Sequence, residues 1–244
     1  MGKQDIFRRF LKARLFTRIY GQVIGPASAQ MFSGLLQEEL LAHLPEGARV
    51  LEVGCGPGLQ ALELIRLRPD LEFVASDFSG EFVRLGEANA AKLDNASQVQ
   101  FAIADAMDLS AYDAASFDGV YSMTAIKHFP DPVRGLRECL RVLRPGGRMV
   151  VAEIRRESGI DEVRGLVGLF HLPGVCKGAM TRFVHAGLCR ECPPLSEVQR
   201  WFREIGVGDI AAVVRELPGR PAWWAAVTAT PRERGRATAG VAGQ

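Results

Sequence analysis

Val50-Leu51-Glu52-Val53-Gly54-Cys55-Gly56-Pro57-Gly58 decides how the rest of this chain is read. Val50 to Val53 have the β-branched and apolar make-up of a short buried strand. Glycines at 54, 56 and 58 then allow a sharp turn and leave the backbone open to a ligand lying against it. From Leu59 the spacing becomes helical, with Leu59, Leu62, Ile65 and Leu67 as the apolar stripe. Strand, glycine turn and helix start together open a doubly wound α/β sheet.

The glycine spacing also excludes ligands. A dinucleotide fingerprint needs its third glycine three residues after the second, where this chain has Leu59. No Gly-Lys-Ser/Thr follows, so there is no phosphate-cradling P-loop. Pro69-Asp70 breaks the helix, Glu72 to Ser76 read as the second strand, and Asp77 stands at its carboxyl end. An acid about 20 residues beyond the glycine turn is placed to accept bonds from ribose hydroxyls. A second reading of Asp77, as a helix N-cap, competes with Ser79 for the same task. Ser79 to Leu93 read as a helix, Val99 to Ala104 as strand three ending at Asp105-Ala106-Met107, and Phe117 to Ser122 as strand four. Val133 to Leu143 form a helix, broken by Arg144-Pro145-Gly146-Gly147 before strand five at Arg148 to Glu153. Ser196 to Ile205 is the last confident helix, and Ile210–Leu217 with Trp223–Thr230 read as a closing hairpin.

Glycine at every second position, with Glu52 two residues before the first, resembles motif I of the class I S-adenosylmethionine-dependent methyltransferases. Phe117-Asp118-Gly119-Val120, the turn Lys127-His128-Phe129-Pro130-Asp131-Pro132 and the Pro-Gly-Gly break resemble the small-molecule branch of that family. Lys127 departs from the His or Glu more usual there. The resemblance implies a Rossmann-like methyltransferase fold, a seven-stranded mixed sheet in the order 3-2-1-4-5-7-6, and S-adenosylmethionine as cofactor. It implies that Glu52, Gly54, Cys55, Gly56 and Gly58 surround the methionine part and Asp77 holds the ribose. Phe78, Asp105 and Ala106 would then frame the adenine, with Ser122 at the end of strand four completing the set. Asp108 is a second candidate for the adenine acid. The place held by Asn/Asp-Pro-Pro-Tyr in nucleic-acid aminomethylating relatives is Ser122-Met123-Thr124-Ala125 here, so the implied acceptor is a small molecule, methylated on oxygen before nitrogen or carbon.

His128 is the candidate base, since it follows strand four and an unperturbed imidazole titrates near ~6.5. The alternative is that His128 only orders the Pro130-Asp131-Pro132 turn. His43 reads as structural, and His171 and His185 are less well placed. Cys176, His185, Cys189 and Cys192 contain ligand types that zinc accepts, but the first spacing is loose and no metal is expected. Cys176-Lys177-Gly178-Ala179 bears a faint likeness to a cysteine segment of arsenite methyltransferases. Two further alternatives are a non-methylating protein of the same fold, such as a cyclase or regulatory subunit, and a nicotinamide oxidoreductase, disfavoured by Leu59.

The bulk properties fit this reading. A chain of 244 residues, 48% hydrophobic and 24% charged, suits one globular domain with a full core. A net charge of +2 argues against broad capture of nucleic acid. No apolar run is long enough for a membrane span, and five cysteines in a chain this long suggest a reducing, cytoplasmic setting. Residues 1–45 read as a helical cap, 48–155 as the cofactor core, 155–194 as a mobile lid over the acceptor, and 231–244 as a disordered tail. Within the cap, residues 3–20 are basic and amphipathic, which admits a membrane-surface helix or an organelle-targeting segment as well as a plain cap. The oligomeric state is left open by the sequence.

Overall fold

The computed structural model describes residues 14–94, 96–207 and 213–229. Most of the basic segment 3–20, part of the first hairpin strand expected at 210–217, and the tail 231–244 lie outside the described residues. Seven strands form one sheet in the order β3-β2-β1-β4-β5-β7-β6. These are β1 (Arg49–Val53), β2 (Glu72–Asp77), β3 (Val99–Ile103), β4 (Phe117–Met123), β5 (Leu143–Ile154), β6 (Val214–Glu216) and β7 (Ala222–Thr228). β7 runs antiparallel to both β5 and β6, and the other pairings are parallel. The chain crosses from β1 outward to β2 and β3, then returns to lay β4 on the other side of β1, so the order reverses between β1 and β4. A cleft opens at the carboxyl ends of the strands at such a reversal.

Alternation along each strand feeds two cores, one on each face. Val50, Phe73, Ala75, Tyr121 and Val150 face one core together with Leu62, Leu64 and Ile65 of α2 (Leu59–Leu67). Leu51, Val53, Val74, Val120 and Met149 face the other, against Leu136 and Cys139 of α4 (Pro132–Val142) and Val198, Trp201 and Phe202 of α8 (Leu195–Glu204). α3 (Gly80–Ala90) supplies the remaining helix between the first strands.

In the cap, one helix, α1 (Arg14–Glu39), runs through Pro26 and buries Phe32, Leu36 and Leu40 in the first core. A helical stripe that well buried outweighs one missing backbone bond at proline. Strand five is longer than expected. The Pro145-Gly146-Gly147 stretch does not end the element but carries it, because Gly146 N–H bonds the Ala229 carbonyl at 2.8 Å and Ala229 N–H bonds Gly147 at 2.9 Å.

The region after β5 is mostly helical: α5 (Ile160–Gly168), α6 (Gly174–Phe183), a π-helical turn Val184–Leu188, and α7 (Cys189–Glu191). Its apolar residues are spent inward. Val163, Leu166, Val167, Phe170, Val184, Cys189 and Cys192 join the core that contains α1.

Candidate functional site

The glycine turn is held open by backbone geometry. Gly54, Gly56 and Gly58 all have positive φ, at 81°, 52° and 71°. At Gly54 a Cβ would also lie 2.4 Å from that of Ala125, so this position is closed to any side chain. Gly54→Ala is expected to cost about 1–3 kcal/mol of stability and to narrow the cleft; thermal melting with and without cofactor checks it. Gly58 has another task. It precedes α2 in the left-handed region, and a Cβ there would strike the Phe101 ring at 2.4 Å. Gly58 is not among the residues lining the cleft, and its conformation serves helix entry and packing.

A cleft of about 900 Å³, counting its open mouth, lies over this turn. The carboxyl ends of β1, β2 and β4 and the loop after β3 form its floor and sides. It is lined by Glu52, Gly54, Cys55 and Gly56, by Asp77 and Phe78, by Asp105, Ala106 and Met107, and by Thr124, Ala125, His128 and Phe129. Gly25, Ser28 and Ala29 of α1 form the opposite wall. Among the described residues none from 154–194 lines this cleft.

The acids differ in state. Asp77 is buried, and its oxygens accept from Gly56 N–H at 2.9 Å and Ser79 N–H at 2.8 Å. Asp77 thus secures the glycine turn and, through Ser79 N–H, the approach to α3, whose N-cap position is Ser79, while lining the cleft. Burial raises its carboxyl to about 6, against the lowering effect of those two amides. Glu52 is raised further, to about 8, by burial, although the neighbouring Tyr121 hydroxyl lowers it. Asp105 accepts from Met107 N–H at 3.1 Å and faces the cleft, whereas Asp108 points away and bonds Ser110 N–H. Asp105 is thus the acid of that loop available to a ligand.

His128 ends a short 3₁₀ turn, Ile126–His128, directly after β4. Burial, with the Lys127 ammonium beside it, lowers the imidazole to about 3. In the turn that follows, Asp131 caps α4 by accepting from Arg134 N–H at 3.0 Å, with Pro132 as the first helical residue.

Two of the expected contact residues, Ser122 and Gly58, are not among those lining the cleft; the Ser122 hydroxyl donates to the Val53 carbonyl at 2.8 Å and ties β4 to β1. Cys176 is exposed while Cys189 and Cys192 are buried, and no metal-binding cluster occurs among the described residues.

The structure also adds residues. Gln60 is buried in the cleft wall, and neither end of its amide has a partner. Nothing in its spacing on α2 separates it from an ordinary helical glutamine. Ser28 and Thr124 face each other across the cleft at 3.4 Å between hydroxyls. Thr124 has φ of 53°, unusual for a β-branched residue. A helix remote in sequence brings Ser28 there, so only tertiary structure reveals the pair.

Comparison with known proteins bears on the core. Residues 51–151 match a protein family described as a methyltransferase domain. A ubiquinone biosynthesis O-methyltransferase of Xanthomonas axonopodis pv. citri (strain 306) is 37% identical over 112 residues, covering 46% of this chain and 45% of the relative. The chain's match thus spans less than half the length of that curated relative. Among solved structures, a SAM-dependent methyltransferase from Aquifex aeolicus superposes with a TM-score of 0.59 at 19% identity, over 80% of this chain and 87% of that one. The cyclase SpnF superposes with a TM-score of 0.54 at 18% identity, over 82% and 80%. These likenesses show the fold.

Proposed function

We propose that this chain transfers the methyl group of S-adenosylmethionine to a small-molecule acceptor, at an oxygen; its residues 51–151 match a methyltransferase domain family. The observation that carries the proposal is the set of buried polar groups lacking partners along the cleft. Glu52 Oε2 and both amide atoms of Gln60 are buried without hydrogen bonds. Such orphans cost free energy unless a ligand completes them. A cofactor ending in an ammonium and a carboxylate offers what a carboxyl and an amide require. The glycine turn admits it where any Cβ would not, and Asp77 offers acceptor oxygens one strand away. The residues present therefore fit the group.

When bound, the cofactor supplies a methyl on a sulfonium, which is already activated for transfer. The protein's part is to align the acceptor and exclude water. Asp77 and Asp105 hold the adenosine, Glu52 and Gln60 the amino-acid end. His128, neutral and lining the same cleft, takes the proton that the acceptor oxygen must release. The mostly apolar cleft walls and the hydroxyls of Ser28 and Thr124 suit an apolar acceptor with a hydroxyl group. The printed name of the matched relative, an O-methyltransferase, favours oxygen over nitrogen or carbon. No nucleic acid enters this reading, and five free cysteines accord with the cytoplasm.

Titration calorimetry with S-adenosylmethionine is the direct test. Asp77→Ala is expected to weaken binding by about 1.5–3 kcal/mol, since charge-assisted bonds to hydroxyls are lost. Tight binding of a nicotinamide dinucleotide, with none of S-adenosylmethionine, would overturn the proposal. A non-methylating role has one observation in its favour, the shared fold of a cyclase. Incubation with methyl-labelled cofactor and a metabolite extract separates the two, because only a transferase moves the label.

A further inference from the structure

We propose that the outward face of α6 and the π-helical turn after it docks on a lipid bilayer bearing anionic headgroups. α6 buries Thr181 and packs Met180 partly against the core, and the π-helical turn and α7 beyond it bury Val184 and Cys189. Its outward side carries large apolar side chains that nothing covers among the described residues. Val175 is 92% exposed and Phe183 66%. They stand two helical turns apart on one stripe, with exposed Ala179 between them and exposed Ala186 continuing it. Large apolar side chains lined up along an open helix face mark an interaction surface.

The charge on this surface points to the occupant. Arg182 and Arg190 are exposed beside the stripe. From His171 to Cys192 the chain carries Lys177, Arg182 and Arg190 against one acid, Glu191. Lys177 is tied back to the Gly168 carbonyl at 2.8 Å, which leaves the two arginines as the cationic partners of the apolar stripe. A second copy of the chain fits this surface poorly. Two-fold pairing through the stripe would bring Arg182 and Arg190 toward their own copies, with Glu191 the one acid of residues 171–192 to oppose them. A membrane surface supplies both needs, phosphate for the guanidinium groups and acyl chains for Val175 and Phe183.

The test is co-sedimentation of the full chain with two kinds of vesicle, pure phosphatidylcholine and an equimolar mixture with phosphatidylglycerol. The protein is expected to sediment with the mixed vesicles and to be released by salt. Arg182→Gln and Arg190→Gln should each weaken partitioning about fivefold. Val175→Glu with Phe183→Glu should weaken it at least about tenfold. Both side chains point outward, so circular dichroism and melting temperature should stay at parental values. Absence of the parent from mixed vesicles would overturn the proposal. So would unchanged binding by the double glutamate variant, which would place any anchor elsewhere, for instance in residues 3–20. Concentration-dependent dimerisation that the same variant abolishes, without vesicle binding, would assign the face to a second copy instead.

Discussion

Lys127→Met is expected to destabilise the fold by about 3–5 kcal/mol, measured by urea unfolding at neutral pH. Lys127 Nζ bonds Glu153 Oε1 at 2.7 Å, and the two side chains are 8% and 0% exposed. The Glu153 carboxylate has further bonds from Ile154 N–H at 2.8 Å and Lys127 N–H at 3.4 Å. These two amides do not supply a countercharge, so removing the ammonium strands a buried anion at the carboxyl end of β5. The surface pairs of this chain, such as Arg200 with Glu197, should contribute less than about 1 kcal/mol each. A double variant, Lys127→Met with Glu153→Leu, removes both charges and should recover most of the loss. If the single variant unfolds at the parental urea concentration, the pair is not a structural tie.

That pair also shows what the sequence could and could not disclose. Lys127 stood out as a residue foreign to its turn, but its partner lies 26 positions on, at the end of the next strand, and only the parallel pairing of β4 with β5 brings them together. Features written in local spacing were legible. The glycine turn, the strand-end acids Asp77 and Asp105, and the order of strands and helices all depend on residues within a few positions of each other. What depends on long-range packing was not. Ser122 resembles a site residue by position, yet strand geometry turns its hydroxyl into the sheet. Helix α1 forms a wall of the cleft through Gly25, Ser28 and Ala29, which no local pattern announces. Residues 154–194 lack clear periodicity because their helices are short and bury only part of each face, which hides a helical stripe among exposed apolar residues.

His128→Ala should lower the turnover of the methyl-transfer reaction by a factor of ~10²–10⁴ and leave cofactor affinity nearly unchanged. The side chain lines the cleft beside Thr124 and Ala125, and Asp131 caps the helix after the turn, so a melting curve of the variant should accompany the rate. The environment of His128 alters the expected pH profile. An imidazole at ~6.5 would lose base function in mildly acidic solution. At about 3 it stays neutral across the usual assay range, so the rate should show no decline attributable to His128. A base that weak is still adequate if the proton leaves as the methyl arrives, because a methylated, still-protonated oxygen is a far stronger acid than imidazolium. Folding stability carries the same depression in another form. Between ~6.5 and about 3 the unfolded chain binds a proton at this position and the native one does not, so this group's contribution is full above that window and lost as pH falls through it. Asp77 and Glu52, both raised, act in the opposite direction, which is why the comparison must be between His128→Ala and parent rather than within one curve. The parent should lose stability relative to the variant as the solution is acidified. A folded His128→Ala protein turning over within a factor of ~3 of the parent has lost only ~0.6 kcal/mol of barrier stabilisation. That result would remove the base and leave alignment of acceptor and cofactor as the whole of catalysis.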